Sequence, residues 1–431
     1  MRFSFKPQAA KINSPYRKGM EMAVIEGIWA MLLLTMLSGP FLTAYLLYLG
    51  ANSQQIGFVL AVPAIANLLQ ILSAMYMQKL KNRKRSFVLF ASAHRIIGMM
   101  TGLIPFIFPK EIWLAVFIII FLLYSSINAF AGVIWTSLIS DMVPGQLRGK
   151  YFGIRNVITS AVNSVGLYIT GVIIDRYEGA LGFNIMFILA GVTVVMNIIY
   201  FTRYPNPEFE KPREMKVGTF VLRPFLDKIF FKGLIFLTIW TFIITMTHPF
   251  FSYVMLDVLG VRYQTVANLV ILQTVASMLG FYICGQLSRK YSERTLLLSS
   301  LPFLAAAALL WGLLALLPQL LVLIIIFICL GFGLGSYNQQ IFIFMIGSSP
   351  KAERPIYIAV FSAITGLAGF LGPAIGGTIF KELKVFPLWI QQYGLFLMLG
   401  MVLLVLGIVV APLAFHRPHK QHKFAIIDKN I

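Results

Sequence analysis

Charge of either sign is scarce in this chain, and acid scarcest of all. Of 431 residues only 15 are Asp or Glu, and 12% are charged, about half the ~25% of an ordinary soluble domain. With 59% hydrophobic residues and a mean hydropathy of +0.84, too little polar surface exists to cover a core of this size. A water-soluble fold is excluded. Cysteine is almost missing: Cys284 and Cys329 both fall in apolar segments, which excludes a disulfide framework and a cysteine metal knuckle. There is no phosphate-binding glycine loop, no DDxxD cluster and no HExxH pair, so ATP-driven transport by this chain alone is unsupported and no metal or other cofactor is expected.

The few acids leave 35 Lys and Arg in large excess, at a formal net charge of +20. Such a balance suits a nucleic-acid binder, but here the basic residues lie between long apolar runs, the pattern of loops beside anionic lipid headgroups. The expected partner is therefore the lipid bilayer and not nucleic acid. The basic, polar stretch from Met1 to Lys18 lacks a small-residue cleavage site and reads as a cytoplasmic tail, not a signal peptide.

Twelve apolar runs are long enough for the roughly 20 residues of a membrane-spanning helix. They cover about 22–49, 55–78, 86–108, 111–140, 152–174, 182–202, 231–257, 263–287, 295–317, 319–347, 357–380 and 389–415. The longest polar stretch, Arg203 to Lys228, holds Pro205, Pro207 and Pro212 and separates the sixth run from the seventh. This divides the chain into an N-terminal six-helix bundle with its tail (1–202), a cytoplasmic linker (203–230) and a C-terminal bundle with a basic tail (231–431). If the N-terminus is placed inside, 28 of the 35 Lys and Arg fall in inside segments and five in outside loops. The expectation is a multi-pass protein of the cell membrane with both termini cytoplasmic.

The two halves repeat. At an offset of 206, Pro144, Arg148 and Tyr151 match Pro350, Arg354 and Tyr357, and the match continues through Thr159/Thr365, Gly166/Gly372 and Gly171/Gly377. At offsets of 209 to 210, Pro40 matches Pro249 and Gly50 matches Gly260. Six spans per half give both copies the same orientation in the membrane, as in parallel-repeat transporters that work about a midplane site.

Twelve spans, two parallel halves and a central linker resemble the major facilitator superfamily of secondary transporters, over nearly the whole chain from Met22 to Phe415. The most specific element is Asp141, Val143, Pro144, Arg148, Gly149 and Tyr151, with Arg155 beyond. It is similar to the D-x-V-P-x-x-x-R-G-x-Y/F loop of many bacterial members. Physically, Pro144 stops the preceding helix, and Arg148 is able to pair with acids across that face. The resemblance therefore implies a gating role for Asp141, Arg148, Arg155 and Arg354. The loop between spans two and three, Met77 to Arg85, keeps the family's basic cluster but lacks its acid and glycines. The residues of the usual charge-relay latch are incomplete there.

Few residues are placed to carry chemistry. Arg95 lies about 13 Å into span three, near the midplane; it reads as an anion-binding or gating residue facing a central cavity, or as half of a structural pair. Glu26 is the only acid well inside an early span and reads either as a proton carrier or as a solvated carboxylate near the headgroups. Pro40 and Pro249, after Gly39 and His248, interrupt spans one and seven at matching places, pointing to the translocation path or to packing kinks. Polar groups at comparable depth are Asn67, Gln70, Asn128, Asn163, Gln273 and the run Tyr337, Asn338, Gln339 and Gln340, which cannot all face lipid. Trp29, Trp135 and Trp240 offer stacking surfaces. His416, His419 and His422 are spaced like metal ligands but alternate with Arg417, Lys420 and Lys423, which favours a solvated, lipid-facing tail.

The expected protein is a monomeric secondary transporter that moves a small molecule, with a proton or cation as candidate coupling ion, by alternating access of two bundles. A polytopic membrane enzyme acting on a lipid or isoprenoid is the rival. It would need acids or histidines clustered near one interface, whereas the acids here lie mostly in loops.

Overall fold

The structure is a computed structural model and describes residues 16–80, 82–177, 179–209 and 217–415. The His416, His419 and His422 run and most of the N-terminal tail lie outside these residues. Twelve helices are long and apolar enough to cross a membrane. They are α1 (Arg17–Tyr48), α2 (Gln55–Gln78), α3 (Arg83–Ile107), α4 (Lys110–Met142), α5 (Gly145–Arg176), α6 (Ala180–Thr202), α7 (Lys228–Leu256), α8 (Thr265–Leu287), α9 (Glu293–Ala315), α10 (Gln319–Ser348), α11 (Arg354–Ile379) and α12 (Ile390–Ala414). No strand occurs among the described residues.

Polar side chains set several helix starts. Asn52 and Gln55 form a reciprocal capping box at α2, Asn82 caps α3, Asp227 caps α7 and Ser292 caps α9. Six helices begin on a charged residue that the apolar count left outside: Arg17, Arg83, Lys110, Lys228, Glu293 and Arg354. Two of these side chains, Arg83 and Arg354, are buried, so the polar ends of the runs became helix once they had partners.

In the first half α1 packs on α5 and α6, and α3 on α4 and α6; in the second α7 packs on α11, and α10 on α8 and α9. The repeat reappears in helix lengths. Trp113–Met142 and Gln319–Ser348 are both 30 residues, and Arg148–Arg176 and Arg354–Glu382 are both 29. Glycines allow the closest packing: Gly331 and Gly335 press α10 on the α8 backbone, and Gly372 and Gly376 press α11 on α7.

The paired interruptions differ from expectation. In α1 the helix breaks, with Ser38 extended (φ −144°, ψ 176°) and Gly39 at φ +58° ahead of Pro40. In α7 the backbone stays α-helical through His248 and Pro249 and loosens only at a π-turn, Val254–Val258. No glycine precedes Pro249 to let the chain leave helical space, so the proline removes one hydrogen bond without breaking the rod.

Candidate translocation cavity and gate

Between the halves, in the middle of the spans, lies a cavity of about 480 Å³, in the range of pockets that enclose small organic ligands. Asn67 and Gln70 of α2 form one side. Thr241, Ile244, Thr245 and His248 of α7, Leu334, Tyr337, Asn338 and Ile341 of α10, and Phe361, Ser362, Thr365, Gly366 and Pro373 of α11 form the rest. Gln70 donates to Asn67 Oδ1 at 2.9 Å. His248 Nε2 lies 3.4 Å from Gln273 Nε2, so Gln273 stands behind the wall. Asn128, two turns before Trp135 on the same face of α4, is exposed. Trp135 itself meets Phe342 of the other half at 6.4 Å between ring centroids.

Five of the residues anticipated for the path thus line one cavity: Asn67, Gln70, His248, Tyr337 and Asn338. Two others lie behind it. Trp240 is fully buried in the second bundle, tilted against Tyr337 at 6.3 Å, and Gln340 is fully buried on α10. The hydroxyls of Thr241, Thr245, Ser362 and Thr365 were not anticipated. Threonine in an apolar run bonds its own helix, as Thr245 and Thr365 do here, and carries no sign of which face it takes.

Arg95 and Glu26 are not on this cavity. Arg95 Nη2 donates to Glu26 Oε1 at 3.0 Å, and both residues are buried, at 8% and 2% exposure. Tyr204 donates to Glu26 Oε2 at 3.1 Å, and Asn197 donates to the Glu26 carbonyl at 2.9 Å and to Oε1 at 3.3 Å. Arg155 Nη2 lies 3.9 Å from Oε2 and its guanidinium stacks on Trp135 at 5.0 Å. The expectation that Glu26 sits solvated at headgroup level does not hold: α1 begins at Arg17, which puts Glu26 about 14 Å into the helix. Arg95 starts deeper, but its side chain leans toward the N-terminus of α3 and donates to Ala91 O at 3.1 Å. That lean brings the guanidinium to the level of the carboxylate.

The second cluster joins the halves at the face that carries the basic helix ends. Asp141, in the last turn of α4, accepts from Arg83 Nη1 through Oδ2 at 2.6 Å and from Arg354 Nη1 through Oδ1 at 2.7 Å. Ser137 and Ser140 take a further bond from each arginine, at 2.9 and 2.8 Å. Arg83 belongs to the first half and Arg354 to the second, so one carboxylate ties both. Arg148 does not join the carboxylate; it donates to the carbonyls of Ser140 and Val143 in the last turn of α4 and its exit. Arg83 was visible only as one of a basic cluster. Its burial follows from its place at the first turn of α3, beside the end of α4. The acid absent from the loop between spans two and three is in effect supplied by Asp141.

Beside this latch α5 meets α8 through glycine. Gly153 and Gly285 face one another, and Gln339 of α10 donates to Gly149 O at 2.9 Å. A Cβ on Gly153 would lie 2.7 Å from Phe281 O and 3.0 Å from Gly285 Cα, both backbone atoms that cannot swing aside. Gly153→Val is therefore expected to push α5 from α8, disfavouring the joined state by on the order of 1–3 kcal/mol. Spin labels at Gln146→Cys and Lys290→Cys, with Cys284 and Cys329 replaced by Ser, should report a longer mean distance. An unchanged distance in folded protein would show that this contact does not hold the face shut.

Comparison with known proteins agrees with this architecture. The family model of the major facilitator superfamily matches residues 27–373, and the chain belongs to that superfamily. No curated protein sequence matches it. Its fold is similar to the proton:xylose symporter XylE bound to 6-bromo-6-deoxy-D-glucose, at 12% identity and a TM-score of 0.65, covering 91% of this chain and 94% of that one. It is also similar to a bacterial homologue of the iron transporter ferroportin in an outward-facing state, at 14% identity and a TM-score of 0.70, covering 91% and 98%. A third is the human organic anion transporter MFSD10, at 12% and 0.61, covering 90% and 99%. At such identities the likeness is one of fold. The family makes the chain a secondary transporter for a small molecule and not an enzyme, which removes the lipid or isoprenoid enzyme weighed above.

Proposed function

We propose that the chain carries its solute across the cell membrane by alternating access, with residues 1–202 and 231–431 moving as two bundles joined by 203–230. The observation that carries this reading is the asymmetry of the interface. The Asp141 latch and the Gly153–Gly285 contact join the halves at the basic face, while the cavity lies deeper, among Asn67, Gln70, His248, Tyr337 and Asn338. Asn128 and Gln273 are assigned to the same path, and the break at Pro40 to movement of the outer part of α1. The excess of 28 basic residues over five supports a cytoplasmic basic face with both termini inside. On that orientation the cavity is reached from outside, in keeping with the likeness to a relative captured in an outward-facing state. Because both bundles come from one chain, the monomer is the transporting unit.

Glu26 and Arg95 are assigned to holding the first bundle together. Among the described residues no carboxylate lines the cavity to carry a coupling proton or cation. The assignment of faces is tested with an impermeant thiol reagent on intact cells. Cysteine at Asn52 or at Asn338 should react from outside, and cysteine at Gly218 only after permeabilisation. Labelling of Gly218 in intact cells would reverse the orientation. Protection of Asn338 would show that the cavity is not open to the outside.

A further inference from the structure

We infer that the solute accepted by this cavity is uncharged and presents several O–H or N–H donors; the inference rests on reading the cavity as the transport site. The first observation is what the wall does not hold. Among its described residues there is no Asp, Glu, Lys or Arg, and a charge brought to mid-membrane depth without a counter-charge is strongly disfavoured. The ionic groups of the neighbouring helices are engaged elsewhere: Glu26 with Arg95, and Asp141 with Arg83 and Arg354.

The second observation is how the polar groups are already used. Thr245 donates its hydroxyl proton to carbonyls of its own helix, at 2.8 Å to Thr241 O, and Thr365 donates to Phe361 O at 2.7 Å. Gln70 donates through Nε2 to Asn67 Oδ1 at 2.9 Å. Thr245 and Thr365 therefore each offer the cavity an oxygen with its single donor spent, and Gln70 keeps its Oε1 beside one remaining N–H; oxygens with free lone pairs select a ligand that donates. An anion finds amide donors at Asn67 and Asn338 but no Lys or Arg to replace its hydration. A cation finds acceptors but no carboxylate to replace its hydration. Ile244, Leu334, Ile341 and Phe361 add apolar surface to the same lining, which suits a ring carrying its donors at the rim.

The test uses the purified full-length chain and its thermal unfolding midpoint with matched probes: N-acetylglucosamine and uridine as neutral donors, glucosamine as cation, glucuronate and uridine monophosphate as anions. At least one neutral probe is expected to raise the midpoint by about 2–4 °C at saturating concentration, its charged counterparts are not, and Thr365→Val or Asn67→Ala should abolish the shift. A charged probe that stabilises more than its neutral counterpart, and loses the effect in Thr365→Val, would overturn the solute class while keeping the cavity as the site. A shift that survives both substitutions would instead overturn the cavity as the site. No shift with any probe would overturn the inference as well.

Discussion

Replacing Glu26 by Gln is expected to destabilise the first bundle by roughly 3–5 kcal/mol, because removing one partner of a buried pair leaves uncompensated charge in the interior. The amide retains the shape and can still accept from Tyr204 and Arg95, but Arg95 and Arg155 then share one buried site without an acid. The midpoint of thermal unfolding in detergent should fall by about 10 °C, at ~2–4 °C per kcal/mol for a unit of this size. Arg95→Gln is the milder change, since Glu26 keeps Asn197, Tyr204 and the more distant Arg155. The double substitution Glu26→Gln with Arg95→Gln should regain much of the loss, the signature of two groups that act on each other. A Glu26→Gln protein that melts like the parent but no longer transports would return Glu26 to the role of proton carrier.

The second large effect is expected at Asp141. Its carboxylate is the single acid between Arg83 and Arg354, whose side chains are 0% and 4% exposed. Asp141→Asn leaves two cations facing each other across the halves, so that attraction at this face turns into repulsion. The joined state should lose about 3–5 kcal/mol, and the ratio of open to joined molecules at the basic face should rise by about two to four powers of ten. Arg354→Gln, which leaves the Asp141–Arg83 pair within one half, should shift it less, by about 1–3 kcal/mol. Labels at Gln146→Cys and Lys290→Cys read both variants, and Asp141→Asn should give the longer distance. If Arg354→Gln opens this face as far as Asp141→Asn does, repulsion between the arginines is not part of the latch. If neither opens it, the glycine contact between α5 and α8 is sufficient by itself.

The residues recognised in advance and those missed differ in a physical way. Asn67, Gln70, His248, Tyr337 and Asn338 were visible because a strong polar group in an apolar run must find a cavity or a partner helix. The same argument does not say which of the two applies. Gln340 and Trp240 are instead buried inside the second bundle, and Arg95 reaches Glu26. Thr241, Thr245, Ser362 and Thr365 were not visible because a hydroxyl can bond its own helix and sit equally well toward lipid or cavity. Asp141 and Arg354 stood out through a motif, yet their meeting is an inter-half contact over 213 positions. Nothing local to either residue contains that distance.

Composition and hydropathy alone were enough for the class and the count of twelve spans. The cost of exposing backbone polar groups to hydrocarbon leaves only helices or closed barrels, and continuous apolar runs of roughly 20 residues, without the alternation of barrel strands, select the helix. The internal repeat was likewise legible, since helices of equal length follow from prolines and arginines kept at a constant offset. Which polar groups face the cavity, which are consumed in pairs and which hold the two halves together was decided only by the tertiary structure. A side chain's lean along its helix and the approach of a neighbouring backbone at Gly153 and Gly285 depend on how the helices rotate and cross. Hydrophobic periodicity leaves that rotation open when a helix is apolar on every side.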